Sequence, residues 1–186
     1  NWPGKTVEKA EGSLDFDGYD ITLVDLPGIY SLSTYSMEEL VTREYIAHEK
    51  PDVIINVVGA TVLERNLFFT LQLIEMEVPL VICLNQMDIA EDKGITIDSQ
   101  KLQEILGRSV VTTVASTGKG IRELIDKAIG VVGRPVQRQP IAFRGDIEAD
   151  TKELTGMIEA GQLQLEYASR WVAIKLLEGD PTIKEL

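Results

Sequence analysis

Four short runs in this chain, Ile21 to Val24, Val53 to Val58, Leu80 to Leu84 and Val110 to Val114, are nearly all apolar and rich in β-branched residues. Strands of that kind must be covered on both faces, and crossover helices between them supply the cover of a parallel sheet. The alternation predicts an α/β domain. Thr6 to Asp17 alternates in polarity instead, and Asp17-Gly18 leads into Tyr19. That segment is expected to lie antiparallel beside the Ile21 run as one arm of a hairpin.

The helices between the runs carry their own signals. Ser36-Met37-Glu38-Glu39 is a capping box that opens a helix expected to end near Glu49, before Pro51. Leu63, Leu67, Leu71 and Ile74 share one helical face, as do Leu102, Ile105 and Leu106, and again Ile121, Leu124, Ile125, Ala128 and Ile129. Each set is expected to face the core. From Gly133 to Gly145 periodicity is lost and two prolines intervene, which marks a linker. The expected organisation is an α/β domain over 1–133, a linker over 134–145 and a second module over 146–186. That module holds a helix from about Asp146 to Ala160 and another from about Tyr167 to Glu178, with Trp171, Ile174 and Leu177 on one face. Two helices enclose no core, so the module is expected to dock on the first domain or to be a cut-off piece of a helical subdomain.

Composition narrows the function classes. With 186 residues the chain has room for one full domain and a remainder. Lys and Arg number 18 against 30 Asp and Glu, a net charge of −12, the wrong sign for a surface that binds nucleic acid. A phosphate held locally by backbone N–H groups and a metal ion remains compatible with that charge. Cys83 is the one cysteine, which excludes an intrachain disulfide and suits a reduced core thiol in the cytosol. The longest nearly apolar stretch, Val53 to Leu63, is well short of the ~20 residues that cross a bilayer. His48, the one histidine, sits beside Glu49 near a helix end and is expected to face solvent. No His, Cys or carboxylate cluster has transition-metal spacing, so no iron site is expected. The chain has no initiating Met and no leader, and is expected to begin in mid-protein.

The chemistry sits at the carboxyl ends of the predicted strands, where open α/β sheets place their ligands. Asp25-Leu26-Pro27-Gly28 closes the first: a carboxylate there can hold magnesium through water, and a glycine lets its N–H approach a terminal phosphate. Asn85-Gln86-Met87-Asp88 closes the third. An Asp there can accept from both N1–H and the exocyclic amine of guanine, a donor pair adenine lacks. Ala115-Ser116-Thr117-Gly118 follows the fourth, offering a backbone N–H to guanine O6. Each tetrapeptide alone also reads as a turn or cap. Their order on successive strands points to a magnesium-bound guanine nucleotide.

These residues resemble the third, fourth and fifth motifs of translation-factor-class GTPases. Asn1-Trp2-Pro3-Gly4-Lys5-Thr6-Val7-Glu8-Lys9 with Glu11-Gly12, Asp25 through Leu32, Glu49-Lys50-Pro51-Asp52 and Leu63-Glu64-Arg65-Asn66-Leu67 resemble, more narrowly, the cytosolic GTPase domain of the ferrous iron transport protein B (FeoB) family. Tyr167 to Pro181 resembles the start of that family's helical domain, which there slows nucleotide release. The resemblance implies an α/β Ras-like P-loop GTPase fold lacking its first strand and helix, followed by a partial helical domain. It implies a slow GTPase, with GTP or GDP and Mg2+ as ligands, on the cytoplasmic face of the cell membrane. The partners implied are guanine nucleotide and the membrane-embedded portion of the same polypeptide, with no nucleic acid; a homo-oligomer is left open. Carried over residue by residue, Thr6 is the switch threonine reaching magnesium and γ-phosphate, Asp25 the outer magnesium residue and Gly28 the γ-phosphate sensor. Thr6 and Gly28 are thus the catalytic candidates. Asn85, Gln86 and Asp88 read guanine, and Ala115 with Ser116 faces O6.

The chain departs from the family pattern in several places. The phosphate-binding loop is missing, and Gly4-Lys5-Thr6 is no substitute, because the first glycine of that loop would precede Asn1. Its strand belongs between those starting at Ile21 and Val53, whose edges would otherwise be unpaired, so residues upstream of Asn1 are expected. Ile29 follows Gly28 where Ras-like enzymes have a glutamine that orients water. Gln86 stands where lysine is commonest, and Gly59 where an aspartate is expected. Two alternatives stay open: a soluble GTPase in ribosome or tRNA work, and a non-catalytic interaction module with a vestigial nucleotide site.

Overall fold

A computed structural model describes residues 10–33, 36–136, 141–162 and 165–185. The expected hairpin is present: β1 (Ala10–Phe16) pairs antiparallel with β2 (Tyr19–Asp25), Ala10 opposite Asp25 and Phe16 opposite Tyr19. A second sheet holds β3 (Ile54–Gly59), β4 (Leu80–Asn85) and β5 (Ser109–Thr112) in that order, all parallel. The last strand stops two residues earlier than its apolar run, since Val114 turns away to bridge Lys119.

Strand β4 shows why its run is apolar throughout. Leu80, Ile82 and Leu84 point into one core, while Val81 and Cys83 point into the other with Val111, Leu124 and Ala128. Helix α1 (Met37–Glu49) is capped by Ser36, whose Oγ accepts from Glu39 N at 3.1 Å. The reciprocal half of the capping box is diverted: Glu39 accepts from the Ser31 and Ser33 hydroxyls, tying the loop after β2 to the helix that follows it. Helix α2 (Leu63–Glu75) covers the face of β3 and β4 that carries the larger core, and α5 (Ile121–Val131) covers the other. A short helix that periodicity did not reveal, α3 (Met87–Asp92), starts inside the Asn85 to Asp88 motif. In α4 (Ser99–Leu106), Leu106 is buried but Ile105, expected inward, is 64% exposed. The helix is only two turns long and turns that side to solvent.

The second module does dock. Helix α6 (Asp146–Ala160) leads to α7 (Ser169–Glu178), and Trp171 and Val172 of α7 enter the larger core with Ile46 of α1 and Leu73 of α2. The buried side of α7 is Trp171, Val172 and Lys175, with Leu177 exposed, so the expected Trp171, Ile174 and Leu177 face is rotated. Tyr167, expected inside the helix, precedes it and stacks on Trp171 at 4.6 Å between ring centroids. Among the described residues no helix is long and apolar enough to cross a membrane.

Between the two sheets lies a cavity of about 1130 Å³. One wall is β2, the other is Ile54 to Val57 of β3, and α5 closes one side through Ile125, Ala128 and Ile129. Tyr19, Leu23 and Val57 border it, each about half exposed or more. These apolar side chains and two unpaired strand edges face the position the sequence assigns to a further strand.

Candidate functional site

The carboxyl ends of β4 and β5 are joined by one side chain. Asn85 Oδ1 accepts from the Thr113 hydroxyl at 3.1 Å and from Ala115 N at 3.0 Å. Thr113 N in turn donates to Leu84 O, and Met87 N to Thr113 O, so the two strand-end loops are stitched by backbone as well. Asp88 lies exposed in the first turn of α3, and Gln86, its N-cap, takes the left-handed conformation at φ 64°. Ala115 and Ser116 are exposed in a single 3-10 turn, Ala115–Thr117. The structure therefore brings together Asn85, Gln86, Asp88, Ala115 and Ser116 on one edge. The Ala115 N–H is already donated to Asn85, so a base oxygen there would share that donor.

Asp25 and Gly28 stand apart from this set. Asp25 is the exposed last residue of β2, and both residues border the cavity rather than the β4–β5 edge. Among the described residues no hydrogen bond joins them to Asn85 or Asp88. Thr6 lies outside the described residues. The segment after Gly28 is fastened at its far end: Leu32 is fully buried and its N donates to Gln72 Oε1 of α2 at 2.5 Å. The Arg65 guanidinium sits 3.8 Å over the Tyr30 ring.

A different cluster fixes the helical module. Arg170 of α7 donates to Glu75 of α2 at 3.0 Å, to Glu148 of α6 at 2.9 Å and to Ile141 O at 2.9 Å. Hydrogen bonds from Arg170 hold the Glu148 carboxyl down at about 2. Burial pushes Glu75 up, outweighing the pull of the same guanidinium. Arg43 of α1 is fully buried against Asp180, 2.7 Å away, with its guanidinium over the Tyr167 and Trp171 rings. Burial also raises the Cys83 thiol against a contact from Thr113 at 3.2 Å, which agrees with an inert core cysteine.

Residues 1–128 match the family model described as ferrous iron transport protein B, and residues 143–186 match that of the FeoB cytosolic helical domain. The chain belongs to the FeoB family. It is 45% identical over 189 residues to the Fe(2+) transport protein A/Fe(2+) transporter FeoB fusion protein of Porphyromonas gingivalis, covering 97% of this chain and 22% of that protein. It is 44% identical over 186 residues to the Fe(2+) transporter FeoB of Methanocaldococcus jannaschii, covering all of this chain and 28% of that one. The chain thus spans about a quarter of the length of these relatives. Among solved structures, the cytosolic domain of T. maritima FeoB in its GMPPNP form superposes with a TM-score of 0.93 at 34% identity, over 100% of this chain and 73% of that one. The GDP form of the same domain gives 0.92. The fold is the Ras-like GTPase fold with a helical domain following it, and the solved structures it superposes on are of the cytosolic domain of FeoB.

Three residues of this FeoB chain matter at the edge and were missed from sequence. Thr113 is buried and braces Asn85; in sequence it is one of two adjacent threonines in the Val110 to Val114 run, and nothing there sets it apart from Thr112. Gly120, at φ 81°, would set a Cβ 2.2 Å from Thr112 O, so only glycine lets the Ala115 loop close on β5. Asn66 Oδ1 accepts from Gly59 N at 2.9 Å, fastening the start of α2 to the end of β3.

Proposed function

We propose that this chain is the GTP-binding, GTP-hydrolysing regulatory part of a membrane ferrous iron transporter. The observation that carries the nucleotide site is the Asn85 side chain, which pins the Asp88 loop and the Ala115 loop to one edge. Asp88 then accepts from the paired guanine donors, Asn85 holds the reader in place, Gln86 lies beside the base and the Ala115–Ser116 turn faces O6. A carboxylate reader excludes adenine, which presents an acceptor where guanine presents N1–H.

Asp25 and Thr6 are the residues assigned to Mg2+, and Gly28 and Thr6 to the γ-phosphate; the metal supplies neutralisation of phosphate charge. The donor chemistry fits, since Asp25 is an exposed carboxylate at a strand end and a Cβ at Gly28 would meet nothing within 4 Å. The Asp25 to Tyr30 segment orders on the triphosphate and is released on hydrolysis, turning about the anchor at Leu32. With Ile29 after Gly28 there is no side-chain amide to orient water, so hydrolysis is slow. The cavity between β2 and β3 is the berth of the strand that leads into a phosphate-binding loop in the full polypeptide. The division into a G domain over 1–133, a linker over 134–145 and a helical regulatory module over 146–186 follows the same reading, as do a position on the cytoplasmic face of the membrane and the membrane-embedded portion as partner.

The reading is tested by titration calorimetry on the full polypeptide with GDP and with ADP in magnesium buffer. Saturable GDP binding with ADP at least about a hundredfold weaker, the scale of one lost charged hydrogen-bond pair, supports it. Equal affinity for the two contradicts it.

A further inference from the structure

Tyr30 is the one aromatic residue between Asp25 and Leu32, and it faces out, 53% exposed, while Ile29 before it packs against the larger core. An exposed ring has little burial to fix it. What fixes this one is Arg65 of α2, whose guanidinium carbon lies 3.8 Å above the ring centroid. Two turns further along the same face of α2, Gln72 Oε1 accepts from Leu32 N. Between these ties the Ser31 hydroxyl donates to Glu39 Oε1 at 2.6 Å. At the other end Asp25 is held in the ladder opposite Ala10. Leu26, Pro27, Gly28 and Ile29 are thus spanned between two held ends, with Gly28 two residues before the gripped ring.

We propose that Arg65 is a positioning residue for the γ-phosphate contact: from α2 it grips the Tyr30 ring and so holds Gly28 where the segment meets a triphosphate. This deepens the assignment of Gly28 above and rests on it. The Ser31 and Leu32 ties are part-buried, whereas the Tyr30 tie joins two side chains that water reaches. It is therefore the tie that opens without unpacking the core, and its opening frees one more residue beside Gly28. A looser segment loses more entropy when it orders against the γ-phosphate. A diphosphate presents no γ-phosphate to Gly28, so the clasp acts on the triphosphate alone. Helix α2 gives it a firm base. Asn66, next to Arg65, accepts from Gly59 N at 2.9 Å, and Gly59 pairs with Asn85 across β3 and β4. One helix therefore ties to the strand end beside the base-reading edge and to the phosphate-sensing segment, which no direct hydrogen bond joins among the described residues.

The test is titration calorimetry of the full polypeptide with GDP and with GMPPNP, for the parent, Arg65→Ala, Tyr30→Leu, the two together and Tyr30→Phe. Arg65→Ala and Tyr30→Leu are each expected to lower the ratio of GMPPNP affinity to GDP affinity about two- to fivefold, the scale of one exposed cation–π pair. The double variant is expected to lower it no further. Tyr30→Phe keeps the ring face over which the guanidinium lies, and is expected to keep the parent's ratio. An unmoved ratio in Arg65→Ala, additive losses in the double variant, or a loss in Tyr30→Phe equal to that in Tyr30→Leu overturns the proposal. Gly28→Ala in the same titration separates the two failures. A ratio that falls there but not in Arg65→Ala overturns the clasp alone, whereas a ratio unmoved by Gly28→Ala overturns the assignment of Gly28 and the clasp with it.

Discussion

Asn85 holds two donors with one oxygen, and both donors belong to the loop that follows β5. Truncating it leaves the buried Thr113 hydroxyl only the Cys83 sulfur as partner and frees the Ala115 N–H. Asn85→Ala is expected to lower stability by about 1–3 kcal/mol, read as a fall in melting temperature of a few degrees, and to abolish measurable nucleotide selectivity. A melting temperature equal to the parent's would show that the brace carries no load. Asn85 and Asp88 stood out in sequence as an N-x-x-D tetrapeptide closing an apolar run, and the brace from Asn85 to the Ala115 loop is what the structure adds. Thr113 did not stand out, since a buried threonine in a strand ordinarily reads as packing, and only the partner makes it a brace. Gly59 stood out as a departure, but its tie to Asn66 joins two elements, and no single-sequence pattern carries side-chain direction from one element to another.

Helix α1 and the turn that follows α7 meet through a buried charge pair. Arg43 and Asp180 are both buried, and Asp180 also accepts from Thr182 N and Ile183 N, capping the final turn of the described chain. Removing one partner leaves the other buried and uncompensated, so Asp180→Ala is expected to cost about 3–5 kcal/mol in chemical denaturation. The paired change Arg43→Met with Asp180→Leu is expected to recover most of that loss; a double variant as unstable as the single one would contradict the account. The Arg170 cluster adds a pH dependence. Because Arg170 draws the folded-state Glu148 carboxyl below its ordinary value, to about 2, its stabilisation is complete above the unfolded value near 4.5 and is lost as pH falls from there toward 2. Glu75 has the opposite sign: its raised folded value favours the fold at low pH and costs stability as pH rises through that value. Glu148→Gln is expected to flatten the acid limb of a stability-pH curve between about 5 and 2, whereas Glu75→Gln leaves that limb steep. Helix boundaries came from caps and prolines, yet the facing side of α7 did not, because Lys175 is buried there beside Trp171 and Glu178. Periodicity counts apolar residues and has no way to place a lysine inward.

At the scale of the molecule, the sequence already contained the layer order. Strand β4 is apolar on both faces because it is covered on both and divides the two cores, whereas β3 leaves Val57 open toward the cavity. The insufficiency of two helices left docking or a cut-off helical piece as the choices, and Trp171 and Val172 in the larger core show the docking. The cavity was foreseeable as unpaired edges flanking β2 and β3, although its volume and its wall of α5 side chains were not. Asp25 and Gly28 follow β2 of the two-stranded sheet while Asn85 and Asp88 follow β4 of the three-stranded one, and the motifs alone gave no sign of that division. All of this becomes function only if the β4–β5 edge reads guanine. The direct measurement is base preference: competitive binding of guanine and xanthine nucleotides to the full polypeptide, parent and Asp88→Asn. An amide at position 88 donates where the carboxylate only accepted, so the account predicts a parent that prefers GDP and a variant that prefers xanthosine diphosphate. A variant that retains the parent's preference would contradict it.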